Sequence, residues 1–223
     1  RVREEIRDAG YIIIEECFRS SNEGQIALGS FKLSYKKDPD ISLCANFINS
    51  YNKQYAFRFN LGAVIEGTNG NSMTLNTDKF GAYKRVHKGE ANILAAGKIK
   101  EFIKDSDIYW DTLIAHKEHL KDYMLLDVEW YRIMGRLFFG KEVLNTLQMN
   151  IIQKEMKKPS FDYKVKENSA WAYYNHIASS LKESRPATWI SDQIAVHEAF
   201  DQIVTFPIVL GDKVDIELIS EDN

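Results

Sequence analysis

Hydrophobic and polar positions alternate through the first third of the chain and then change period. In residues 41–48 the apolar set Ile41, Leu43, Ala45 and Phe47 falls on one parity. After the polar stretch Asn49-Ser50-Tyr51-Asn52-Lys53, Tyr55, Phe57, Phe59, Leu61, Ala63 and Ile65 again share one parity. Period-two alternation on both sides of a polar turn predicts a half-buried antiparallel hairpin with Phe47, Phe57 and Phe59 inside. Its opposite face carries Ser42 and Asn46 on one strand and Gln54, Arg58 and Asn60 on the other. An earlier pair of β-prone runs, residues 11–18 and 25–35, is joined by Ser20-Ser21-Asn22-Glu23-Gly24, which reads as a second hairpin. A short helical turn over residues 3–8 precedes it and stops at Gly10.

From Ala91 the period lengthens. Ile99, Phe102, Ile103, Trp110, Leu113, Leu120 and Met124 recur at three- and four-residue steps, a helical stripe that Asp105-Ser106-Asp107 can divide in two. Further helices are expected over residues 128–138, from an N-cap at Thr146 to before Pro159, from a cap at Asn168 or Ser169 to Leu181, and from Thr188 or Ser191 to about Val204. Residues 208–219 alternate weakly and suit an edge strand. The expected fold is therefore α+β: an N-terminal antiparallel sheet of long hairpins, residues 1–90, then a helical region, residues 91–223, the two packed as one domain.

Composition narrows the classes. The 223 residues are 44% hydrophobic and 27% charged, enough apolar surface for a core without metals or disulfides. A formal charge of −3 argues against a general polyanion binder. Only Cys17 and Cys44 are present, which points to two buried free thiols in a reducing, cytoplasmic compartment. No apolar run approaches the ~20 residues of a membrane span, so no membrane association is expected. The chain opens on Arg1 without a methionine, which leaves room for a preceding segment and any signal on it.

Charge is unevenly spread, and this matters more than its sum. Residues 79–104 hold seven Lys/Arg against two acids, an excess of five, so the rest of the chain carries −8. Lys84, Arg85, His87 and Lys88 concentrate this charge in an expected loop between sheet and helices. Lys84, Arg85 and Lys88 could track a phosphodiester backbone with Arg58 while Tyr51 or Tyr55 stacks a base. The plainer reading is a solvated loop.

Other motifs carry less. Residues 135–141, Gly-Arg-Leu-Phe-Phe-Gly-Lys, approach a phosphate loop, but Glu142 replaces the magnesium-binding hydroxyl and the preceding segment is helical. His116 and His119 are three apart on a predicted helix, too few ligands for zinc, and read as a solvated face. His176 and His197 could meet between two helices as an acid–base pair, yet no nucleophile or oxyanion donor accompanies them. No catalytic residue, metal site or cofactor is indicated, and the enzyme class ranks last.

Residues 47–57, Phe-Ile-Asn-Ser-Tyr-Asn-Lys-Gln-Tyr-Ala-Phe, resemble the central hairpin of a phage- and plasmid-encoded family of uncharacterised proteins. Residues 80–89 look like the basic loop that follows it in phage members. The segments 135–138, 148–152, 159–163 and 170–176 are similar too, so the resemblance touches most of residues 10–200. Relatives end the hairpin on a Val-Cys-x-Asn pattern, whereas Ile65-Glu66-Gly67-Thr68-Asn69 stands here, and no role for that cysteine carries over. The resemblance implies a phage or mobile-element origin more than an activity. Two function classes remain: an accessory factor of recombination or replication that binds single-stranded or duplex DNA, or an interaction module directed at itself or at a host or phage protein.

Overall fold

The computed structural model describes residues 2–21, 23–35, 38–52, 55–75 and 106–206, together with the backbone of residues 82–85. Helix α1 (Val2–Asp8) leads into strands β1 (Ile13–Ser21), β2 (Ile26–Leu33), β3 (Ile41–Ser50), β4 (Phe57–Ile65), β5 (Ser72–Met73) and β6 (Ala82–Arg85). Helices α2 (Ser106–Asp122), α3 (Asp127–Gly135), α4 (Thr146–Lys157), α5 (Ala170–Ser180) and α6 (Trp189–Val204) come after them. The fold is α+β, an N-terminal antiparallel sheet followed by a helical region. Strands β1 to β5 lie in sequence order, and β6 pairs with β4 beside β5. Residues 208–219, expected as an edge strand, lie outside the described residues.

The period-two pattern built the expected antiparallel central hairpin. Ala45 faces Leu61 and Phe47 faces Phe59 across β3 and β4. Ile41, Leu43, Ala45, Phe59, Leu61 and Ala63 are all buried on this first face. They pack with Tyr109, Trp110 and Leu113 of α2 in one apolar cluster that also takes in α1, α3, α5 and α6. Each large side chain buried this way stabilises the fold by about 1.5–3 kcal/mol. Tyr109 ties helix to sheet by polar contacts as well: its hydroxyl donates to the Leu61 carbonyl at 2.6 Å and accepts from the Leu75 amide at 3.1 Å.

Phe47 and Phe57 are only half-buried, a correction to the expectation that both rings are inside. They sit at the end of the sheet, in a row of edge and stacked rings running Phe18, Phe31, Phe47, Phe57 with centroids 5.7 to 6.5 Å apart. Gly29 makes this row possible, because a Cβ there would lie 2.1 Å from the Phe47 ring.

The second face is the larger surprise. Ser42, Asn46 and Asn60, expected at a water-facing surface, are 2%, 0% and 1% exposed. The hairpin is covered on both sides. Ala187, Trp189 and Ile190 close over Ile26, Leu28 and Ile48 in a second apolar cluster. A buried polar seam continues from it, with Thr74 donating to Gln193 at 2.6 Å and Asn71 bonding Asn175 and Ser179 of α5. Ser42 donates to Glu66 and Asn60 Nδ2 donates to the Leu61 carbonyl at 3.0 Å, while Asn60 Oδ1 has no hydrogen-bond partner among the described residues.

The helix boundaries obey their caps. Asn145, rather than Thr146, caps α4: its Oδ1 accepts from the Gln148 amide while Gln148 Oε1 accepts from the Asn145 amide, both at 3.0 Å. Ser169 caps α5 through the Ala172 amide at 3.2 Å. A partly buried ion cluster joins α2 to the turn before β3. Lys117, fully buried, reaches Asp38 at 2.5 Å, Glu118 at 2.6 Å and Asp40 at 3.1 Å, and Lys121 reaches Asp40 at 2.9 Å. Burial penalises the Lys117 ammonium, but hydrogen bonds to these carboxylates raise its pKa above the usual lysine value.

Candidate nucleic-acid interface

Residues 82–85 form a strand, not the loop expected for the basic cluster. Its register sets Lys84 opposite Arg58 and Arg85 opposite Phe57 on β4. The reason lies in the sheet's edge. Strand β4 meets β5 only at Ala63 and Val64, so its first half has backbone groups left to pair, and β6 takes them. Lys88 and His87 lie outside the described residues, as does most of the basic segment 79–104.

The start of β4 adjoins the β3–β4 turn that carries the tyrosines. Tyr51 is 72% exposed and Tyr55 39%. Two tight contacts hold this turn to the neighbouring β1–β2 turn. The Tyr51 amide donates to the Gln25 carbonyl at 2.8 Å, and Asn52 Nδ2 donates to Gln25 Oε1 at 2.7 Å. Ser50 completes the brace by donating to Asn52 Oδ1 at 2.5 Å. One end of the sheet thus gathers Tyr51, Tyr55, Arg58 and the backbone positions of Lys84 and Arg85. Arg58 is half-buried and stands opposite Ile48 on its other side.

The sequence pattern did not single out Phe18 at this same end. It is 54% exposed and makes edge contacts with Phe31 and Phe47. Its place follows from the β1–β2 register, Phe18 against Gly29, which no local pattern in the sequence shows.

The remaining candidates are engaged elsewhere. Residues 135–141 run from the end of α3 into a π-helical turn, Arg136–Gly140, and Lys141 pairs with Glu198 at 2.6 Å. His176 and His197 do not meet. Instead His197 Nε2 lies 2.9 Å from His116 Nδ1, the two rings stacked on each other and on Phe206. His119 bonds the Val204 carbonyl at 3.0 Å, so the α2 histidines hold α6 and are not a solvated face. Burial drives the His197 pKa well below the usual histidine value, and His116 lowers it further. Burial also lowers His176, with Glu155 opposing. Cys44 is buried, its thiol pushed up to about 12 by burial. Cys17 is exposed, contrary to the expectation for both cysteines.

Among the described residues no three His, Cys, Asp or Glu side chains gather as metal ligands, and no helix is long and apolar enough to cross a membrane. Comparisons with family models, curated proteins and solved structures found no match. The functional reading therefore rests on the residues themselves.

Proposed function

We propose that the chain binds nucleic acid at the β3–β4 end of its sheet, as an accessory factor in recombination or replication. The observation that carries this reading is the β6 register, which sets a lysine and an arginine position against Arg58 and Phe57 beside two exposed tyrosines. Lys84 and Arg58 are cross-strand neighbours on one face and can contact phosphate together, while tyrosine faces accept unstacked bases of any identity. Exposed single-strand bases suit this chemistry better than duplex DNA, whose bases are already stacked. A mobile-element source is a separate part of the proposal, supported by the resemblance of residues 47–57 and 80–89.

A salt titration with single-stranded oligonucleotides tests it. Affinity should fall steeply with salt, and removing one phosphate contact should lower the slope by about one. The pair Arg58→Glu and Lys84→Glu should abolish binding with little change in melting temperature. Tyr51→Ala should cost about 1–3 kcal/mol of binding, the value of one stacked base. Failure of the parent protein to bind at about 50 mM salt, where such contacts are strong, would end this reading, as would an equally tight double mutant.

A second reading, an interaction module, has its own observation. Leu126, Val128, Tyr131 and Phe139, from just before α3 to just after it, are 61–80% exposed, apolar anchors of the kind protein interfaces use.

A further inference from the structure

A cleft of about 330 Å³ opens over the second face of the sheet, lined by β1, β2, the end of β4 and the segment leading into α6. That volume is at the lower end of small-molecule sites. Its residues and chemistry are distinct from the tyrosine-bearing end of the sheet, so a ligand in the cleft is independent of nucleic-acid binding.

The cleft has an apolar lining and a cationic rim. Leu28, Val64 and Trp189 supply the apolar lining. Arg19, in register with Leu28, donates to the Ser184 carbonyl at 2.7 Å. Lys182 is two residues before that carbonyl and also lines the cleft. Arg19 and Lys182 therefore come to the cleft from elements far apart in sequence, and a third cation, Lys32, lines it too but pairs with Glu66.

Two carboxylates, Glu15 and Glu66, also line the cleft. Glu66 accepts from Lys32 at 2.9 Å and from the Ser42 hydroxyl. Glu15 is exposed and stands opposite Lys32 in the β1–β2 register. Lys182 has no ion pair with a described residue; its ammonium stands 5.9 Å from the centre of the Phe161 ring. Burial lowers its pKa and Glu155 only partly opposes this. A half-buried ammonium without a described carboxylate in contact has lost hydration that a bound anion can replace. Arg19 spends one donor on a backbone carbonyl, and the guanidinium offers five.

We propose that this cleft binds a small amphipathic anion, its carboxylate, sulfonate or phosphate held by Lys182 and Arg19 and its apolar body against Leu28, Val64 and Trp189. Neutral molecules of the same shape lack the ionic anchor and bind more weakly.

Cys17 provides a local reporter. It lines the cleft and is exposed, whereas the second cysteine, Cys44, is buried, so a neutral alkylating agent such as iodoacetamide reads Cys17 alone. Naphthalene-2-sulfonate should protect Cys17 from alkylation in a saturable way, and neutral 2-naphthylmethanol should protect far less. Lys182→Met should weaken protection about tenfold or more, the worth of one charged hydrogen bond, and Lys182→Arg should keep most of it. Arg19→Gln gives the same loss from the opposite side of the rim if Lys182→Met does not fold. Benzoate and phenyl phosphate in place of the sulfonate separate the head-group classes, the tightest naming the preferred one. Equal protection by the neutral analogue, no protection up to the solubility limit, or undiminished protection in both cation variants would overturn the proposal.

Discussion

At the scale of single residues, Gly29 and Phe47 show how one missing side chain shapes a sheet. The Phe47 ring occupies the space above Gly29, stacked between Phe31 and Phe57. Gly29→Ala should cost about 1–3 kcal/mol in urea unfolding, the usual penalty of overpacking. In a Phe47→Ala background the same change should cost little, because the obstructing ring is gone and alanine suits a strand better than glycine. A double-mutant cycle measures that coupling; additive effects would show that the ring is free to move aside. The half-burial of Phe57 belongs to the same picture. Its truncation should cost less than the ~3–5 kcal/mol of a fully buried ring, because part of its surface stays in water when folded.

Among the elements, α4 depends on a reciprocal cap. Asn145 and Gln148 satisfy each other's backbone amides, and Gln148 Nε2 reaches on to Ser184 Oγ at 3.1 Å. Asn145→Ala should therefore lower stability by about 1 kcal/mol, read as a shift of the urea midpoint at constant slope. Gln148→Ala should cost more, since it also frees a buried contact to the turn before α6. Equal losses would mean that only the local cap matters. The sequence suggested Thr146 for this role because both residues are cap formers and they are adjacent. Side-chain hydrogen bonds decided between them, and these depend on where the backbone leaves the preceding loop.

For the molecule as a whole, buried ionisable groups set a pH window of stability. His176 and His197 are held neutral by burial, with pKa values below the ordinary one near 6.5. Below that pH the unfolded chain binds protons that the folded chain refuses, so stability falls as pH drops. Asp40 is the usual carboxylate case. Burial alone would raise its pKa, but Lys121 and Lys117 hold it below 3.8, so its contribution is complete above that value and lost as pH falls beneath it. Lys117 acts oppositely: its raised pKa stabilises fully below the ordinary 10.5 and is lost as pH climbs through the folded value. Melting temperature should thus be highest between about pH 7 and 10, with the acid decline beginning near 6.5. His176→Phe should flatten the upper part of that acid limb. An acid limb unchanged in this variant would show that His176 does not couple protonation to folding.

Sequence alone determined the four long strands, β1 to β4, and most helices, because side-chain period is a local property that survives without knowledge of neighbours. The parity of Ile41 to Ala45 and of Phe59 to Ile65 fixed which face of the hairpin meets the core. Tyr51 lies in the polar turn and is exposed, whereas Tyr55 shares the parity of the apolar set and is exposed all the same, because it precedes the paired part of β4. The candidate interface was legible only in part: Lys84 and Arg85 stood out as charge, but their place on a strand beside Arg58 depends on β4 having an unpaired edge, a fact about its partners. Lys88 lies outside the described residues. Tertiary structure alone decided that Ser42, Asn46 and Asn60 are buried, because the cover comes from residues near 187–193, far along the chain. The same long-range return brought Lys182 and Trp189 over the sheet and joined His116 to His197. Periodicity reports which side of an element is apolar; only the packed chain determines what a polar side meets, because the elements that cover it return from far along the chain.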